Sequence, residues 1–156
     1  MDGVSQPDSK SLDPKKFQDP NVTMAGETRA RVSLDGLKTL WINTGTLCNL
    51  TCVNCYIESS PRNDRLSYIT IDEMRSYLDE IRDQGLETEE IAFTGGEPFM
   101  NPDMMQMLEV TLSRGFRALV LTNAMKPMRH HESPLKKLKY WFNEKLEIRV
   151  SVDHYT

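Results

Sequence analysis

The chain's three cysteines fall within eight residues, Cys48-Asn49-Leu50-Thr51-Cys52-Val53-Asn54-Cys55, at the spacing C-x3-C-x2-C. Three thiolates this close repel one another unless a cation offsets their charge, so the spacing points to a metal or a metal cluster. Structural zinc usually completes four ligands from paired cysteine or histidine units. No second cysteine pair exists, and His130, His131 and His154 lack the paired H-x3–5-H spacing. A cubane iron–sulfur cluster normally takes four cysteines. With three, one iron keeps an open coordination position that can bind and activate something, whereas a closed cluster mainly carries electrons. The cysteines alone leave three readings open: a cluster with an open iron, an electron carrier with a fourth protein ligand, and a structural zinc protein.

Composition narrows the setting. The chain has 156 residues, 38% of them hydrophobic and 27% charged, which excludes global disorder and suits one sizeable domain. Its net charge, 19 − 23 = −4, argues against general nucleic-acid binding, which needs a basic face. No apolar run approaches the roughly eighteen residues of a membrane helix. The start, Met1-Asp2-Gly3-Val4-Ser5-Gln6-Pro7, has neither the basic opening nor the apolar core of a secretory signal. An odd cysteine count disfavours a disulfide framework, so a reducing cytoplasm is the natural location.

The elements that must position the cysteines follow from periodicity and punctuation. Residues 1–28 are polar and broken by Pro7, Pro14 and Pro20, reading as a flexible tail, with the ordered domain spanning 29–156. Asp35-Gly36 lies between two strand-like runs, 29–34 and 37–42, and predicts a hairpin. A strand over 40–43 precedes the cysteines. Thr70 and Glu73 form a capping box for a helix over 70–84, whose stripe is Ile71, Met74, Leu78 and Ile81 and whose stop is Gly85. Further strands are predicted over 90–94, 116–122 and 146–152. A helix opens at Asn101-Pro102-Asp103 and runs to Arg114, and another runs from Ser133-Pro134 to Trp141. This β-α-β-α-β-α-β order implies parallel strands joined by right-handed helical crossovers. The cysteines sit in the loop after the first strand, on the rim where such folds place their ligands.

The string Cys48 to Tyr56, followed after the second strand by Gly95-Gly96-Glu97-Pro98, resembles the two leading motifs of the radical S-adenosylmethionine enzymes. The first motif is similar to the branch that modifies peptides and small molecules. The resemblance covers residues 38–156 and implies an α/β fold, a partial TIM-type barrel of parallel βα units. It also implies that the core is incomplete after the fourth of its usual six strands. Cys48, Cys52 and Cys55 match the ligands of a [4Fe–4S] cluster whose fourth iron takes the amino and carboxylate groups of S-adenosylmethionine. The implied reaction is reductive cleavage to a 5′-deoxyadenosyl radical, which abstracts hydrogen from a small-molecule or peptide substrate. The implied electron donor is flavodoxin or ferredoxin.

Gly95, Gly96, Glu97 and Pro98 match the stretch that meets the methionine amino group. An ammonium needs carbonyl acceptors, and glycines let the backbone approach; Glu97 reads as shaping that loop. Asn123 ends the third strand, and Ser151 and Asp153 end the fourth, on the same rim as the cysteines. All three enter the cofactor-binding set with Tyr56. The family often has an aromatic residue or histidine before the third cysteine, near the adenine; here Asn54 stands there and Tyr56 follows.

Elsewhere, Met100, Met104, Met105 and Met107 read as core packing. Arg129-His130-His131 and Pro61-Arg62-Asn63-Asp64-Arg65 read as surface loops. Lys136, Lys137, Lys139 and Lys145 read as a solvated helix face.

Overall fold

The computed structural model describes residues 19–34 and 36–152. The chain divides into two compact units, Met1–Asp35 and Gly36–Thr156.

In the first unit, Val22 and Thr28 form an isolated antiparallel bridge across a turn closed by Thr23 and Glu27. Residues 29–34 form no strand, so the hairpin expected around Asp35-Gly36 is not built from them; Asp35 itself lies outside the described residues. Val32 and Leu34 are exposed, and a two-stranded ribbon with no apolar face to bury is marginal in water. The expected tail falls mostly on residues 1–18, also outside the described residues.

The second unit is the expected α/β alternation. Four strands, β1 (Thr39–Asn43), β2 (Glu90–Thr94), β3 (Arg117–Thr122) and β4 (Leu146–Val150), pair in parallel in chain order. This is a partial TIM-type barrel arrangement of βα units. Four helices connect the strands: α1 (Ile71–Asp83), α2 (Met104–Ser113), α3 (Lys126–Arg129) and α4 (Glu132–Phe142).

The central strands show why the sheet is parallel. Ile91, Phe93, Ala118 and Val120 pack into the helical core, while the alternate residues Ala92 and Leu119 are equally buried. A strand buried on both faces carries an unbroken apolar run. Met74, Leu78 and Ile81 of α1 are buried, as are Met104, Met107, Leu108 and Leu112 of α2, so the α2 methionines do fill the core.

Helix starts and stops follow local chemistry. Glu73 N–H donates to Thr70 Oγ1 at 3.2 Å and Thr70 N–H donates to Glu73 Oε2 at 2.8 Å, completing the capping box. Past the end of α1, Leu86 N–H donates to the Ile81 carbonyl at 3.0 Å, with Gly85 at φ +63° between them. The start of α2 differs from expectation. Pro98–Met100 forms a separate 3-10 turn, and Asp103 caps no amide of its own helix. Its Oδ2 instead accepts from Ile71 N–H at 3.0 Å, so one carboxylate fixes the first turn of α1 against α2.

Two other segments depart from the sequence reading. The Arg129-His130-His131 loop contains the last residue of α3, and the His131 ring stacks on Phe99 with centroids 6.0 Å apart. β4 ends at Val150 rather than Val152, although Ser151 N–H still donates to the Thr122 carbonyl at 2.9 Å. Among the described residues, no helix is long and apolar enough to cross a membrane.

Candidate functional site

The parallel register brings the ends of β1, β2, β3 and β4 to one rim. Asn43 pairs with Thr94, and Thr122 with Val150. The turns leaving that rim carry the residues singled out above.

The cysteine loop leaves β1 through a fastened neck. Thr46 Oγ1 donates to the Asn63 carbonyl at 2.9 Å and accepts from Leu66 N–H at 3.1 Å, and Thr46 N–H donates to the Leu66 carbonyl. Leu47 bridges Ser60 in parallel, and Cys48 N–H donates to the Ser60 carbonyl at 3.1 Å. Cys48 is thus held at the neck and buried, while Cys52 is exposed and Cys55 half-buried in the arc beyond. A turn from Cys52 to Cys55 and another from Cys55 to Glu58 shape that arc.

The glycine pair is set directly against this neck. Gly96 N–H donates to the Gly45 carbonyl at 2.8 Å, and Glu97 N–H donates to the Leu47 carbonyl at 3.1 Å. A Cβ on Gly96 would lie 2.6 Å from the Leu47 carbonyl carbon and 2.8 Å from the Thr46 oxygen. Gly95 stands at φ +133°, and a Cβ there would lie 2.6 Å from the Gly45 oxygen. The glycines are therefore required by contact between the two loops, a reason the sequence alone does not reveal.

Glu97 lies beneath this contact, 1% exposed. Its Oε1 accepts from Thr122 Oγ1 at 2.7 Å and from Phe99 N–H at 3.2 Å, and its Oε2 accepts from Asn123 N–H at 2.9 Å. The carboxylate shapes the loop, as expected, by binding it to the end of β3. Asn123 carries the connection onward. Its Nδ2 donates to Asn49 Oδ1 at 3.0 Å and to Cys48 Sγ at 3.8 Å. Asn101 braces the same region from outside, donating to the Thr44 and Ile69 carbonyls at 3.2 and 2.9 Å.

Together these loops enclose an open cavity of about 290 Å³. Cys48, Cys52, Cys55, Gly95 and Gly96 line it together with Tyr56, Asn123 and Ser151. Asn54 and Ser59 also line it. Glu97 and Pro98 are buried and not among the lining residues. Asp153 lies outside the described residues. Sequence reasoning missed Ser59, Thr46 and Asn101, ordinary polar residues whose roles depend on partners distant in the chain.

The thiols differ in environment. Burial pushes the Cys48 thiol above its ordinary value, and the charges of Glu97 and Cys55 add to this. The Leu50 N–H, 3.4 Å from Cys48 Sγ, and the Asn123 amide act in the opposite direction. Cys55 Sγ accepts from Ser59 N–H at 3.3 Å. Among the described residues, no three His, Cys, Asp or Glu side chains are gathered as a single-ion site. A cubane distributes its cysteines over separate irons and does not require that spacing. Three soft sulfur donors on one cavity, with close-approach backbone beside them, are a donor set that fits such a cluster.

Comparison with known proteins agrees with this architecture. The model of the Radical SAM superfamily matches residues 42–155. The chain is 33% identical over 106 residues to the antilisterial bacteriocin subtilosin biosynthesis protein AlbA of Bacillus subtilis (strain 168), an alignment covering 68% of this chain and 22% of AlbA. It is 29% identical over 91 residues to Fe-coproporphyrin III synthase of Methanosarcina barkeri (strain Fusaro / DSM 804), covering 58% of this chain and 22% of that one. The crystal structure of Streptococcus suis SuiB bound to S-adenosylmethionine shares the fold, with a TM-score of 0.51 at 19% identity over 78% of this chain and 35% of SuiB. The chain thus spans about a fifth of the length of these two curated relatives.

Proposed function

The chain belongs to the radical SAM superfamily, and from that premise we propose that it is the cluster-holding part of an enzyme that cleaves S-adenosylmethionine reductively and abstracts hydrogen from a substrate. Cys48, Cys52 and Cys55 would hold a [4Fe–4S] cluster by three of its irons. When bound, the cluster and S-adenosylmethionine supply the chemistry: one electron from a flavodoxin- or ferredoxin-type donor breaks a sulfonium carbon–sulfur bond, giving methionine and a 5′-deoxyadenosyl radical that takes a hydrogen atom from the substrate.

This chain's residues bind, orient and enclose. The carbonyls around Gly95 and Gly96 suit the methionine ammonium. Glu97 and Pro98 fix the turn that presents them. Asn123 and Ser151 offer polar groups on the same rim for the carboxylate and ribose, Asp153 is assigned to the same role from its place in the sequence, and Tyr56 offers an aromatic face for the adenine. Residues 1–28 read as an extension, and 29–156 as part of the core domain.

The observation that carries this reading is the single cavity lined by Cys48, Cys52, Cys55, Gly95 and Gly96. Likeness to a bacteriocin biosynthesis protein supports a peptide or small-molecule substrate, and the cysteine usage supports a cytoplasmic setting. The test is anaerobic reconstitution of the full-length protein with iron and sulfide. About four irons per chain and binding of S-adenosylmethionine are expected, both abolished by Cys52→Ala. A reconstituted protein that binds no S-adenosylmethionine overturns the reading.

A further inference from the structure

Ser59 is 4% exposed, and its hydroxyl has no hydrogen-bond partner among the described residues. A buried hydroxyl without a partner is costly, so such a group needs an explanation. Thr111 Oγ1 is likewise buried and unpartnered, but it sits on α2 in the apolar core. Ser59 instead lines the cavity with the three cysteines, and its backbone N–H already donates to Cys55 Sγ at 3.3 Å. The same residue carries a hydroxyl donor for which the described residues offer no acceptor.

We propose that Ser59 is a positioning residue whose hydroxyl donates a hydrogen bond to anionic sulfur of the bound cluster and so raises its reduction potential. The proposal rests on the cluster reading given above. Each added electron increases the negative charge on the sulfurs, so a donor aimed at them stabilises the reduced form more than the oxidised form. Hydrogen bonds to the sulfurs are among the features that set iron–sulfur potentials. With its N–H and hydroxyl together, Ser59 would address the Cys55 side of the cluster from one residue, leaving the open iron to the cofactor.

The experiment is a mediator-controlled dithionite titration, followed by electron paramagnetic resonance, of the reconstituted full-length protein without S-adenosylmethionine. Ser59→Ala should retain the wild-type iron and sulfide content while its reduction equilibrium weakens about tenfold, a midpoint lower by about 59 mV for one electron. Ser59→Thr, which keeps the hydroxyl, should stay near the wild-type midpoint, and so should Thr111→Val. Ser59→Gly removes the same group where the alanine variant misfolds. A midpoint unchanged in Ser59→Ala or Ser59→Gly at equal iron overturns this proposal alone. Ser59→Thr falling as far as Ser59→Ala overturns it too. A wild-type protein that takes up no cluster overturns the parent reading as well.

Discussion

The Thr122 hydroxyl donates to Glu97 Oε1 at 2.7 Å, joining the turn after β2 to the end of β3 across 25 positions of sequence. Thr122 also accepts from Ala124 N–H at 3.0 Å, so its hydroxyl is saturated on both sides. Glu97→Ala would strand three buried or half-buried donors, those of Thr122, Phe99 and Asn123. Each stranded donor costs about 1–3 kcal/mol, so a loss of at least about 3 kcal/mol is expected in urea unfolding. Glu97→Gln, which keeps the shape but turns an amide toward N–H groups, should lose less. Equal losses from the two variants would count against the hydrogen-bond account.

The glycines separate crowding from backbone strain. Gly96→Ala would drive a Cβ into the Thr46–Leu47 backbone, and overpacking of that kind costs about 1–3 kcal/mol or more. Gly115 stands at φ +94° with nothing within 4 Å of an added Cβ. Gly115→Ala should therefore cost only the left-handed conformation, about 1–2 kcal/mol. Limited proteolysis should cut residues 49–58 faster in Gly96→Ala, and leave the Gly115→Ala pattern like wild type.

The cluster-free protein should label unevenly. Exposed Cys52 should react first with iodoacetamide and buried Cys48 last, as peptide mass mapping would show. The Cys48 thiol is raised above its ordinary 9.0, chiefly by burial, so its labelling should keep rising with pH beyond the range of an ordinary thiol. Because the folded state holds this proton more tightly than the unfolded chain, the stability it contributes is complete below the unfolded value. It is lost as pH rises through the folded one. A urea midpoint that falls above pH 9 in wild type, and falls less in Cys48→Ser, is the expected outcome.

Thr111→Val removes an unpartnered buried hydroxyl and keeps the side-chain shape. An increase of about 1 kcal/mol is expected, or roughly 2–4 °C in melting temperature. A lower melting temperature would show that this hydroxyl is satisfied in solution.

Much of this was legible because it is local. Thr70 and Glu73 lie three apart and announce α1. The apolar run at 118–121 announces a strand buried on both faces. Cysteine spacing and Gly95-Gly96 mark one rim once the alternation is seen. What escaped depends on distant partners. Asp103 reads as part of the opening of its own helix, yet its carboxylate serves Ile71, thirty-two residues away. Residues 29–34 have strand-like composition but no sheet face to bury. Gly96 suggests room for a ligand, whereas its nearest demand is the Leu47 backbone. α3 is a single turn with no apolar period to betray it.

The fastening of the cysteine loop at Thr46–Leu66 and Leu47–Ser60 has an evolutionary consequence. With both ends of the arc clamped to the sheet rim, its length enters the folding free energy only through a logarithm. The side chains of residues 57 and 58, beyond the last cysteine and Tyr56 but still inside the clamp, can change chemistry without disturbing a strand. That short stretch is where descendants of this chain could drift toward new substrates while the ligand spacing stays fixed.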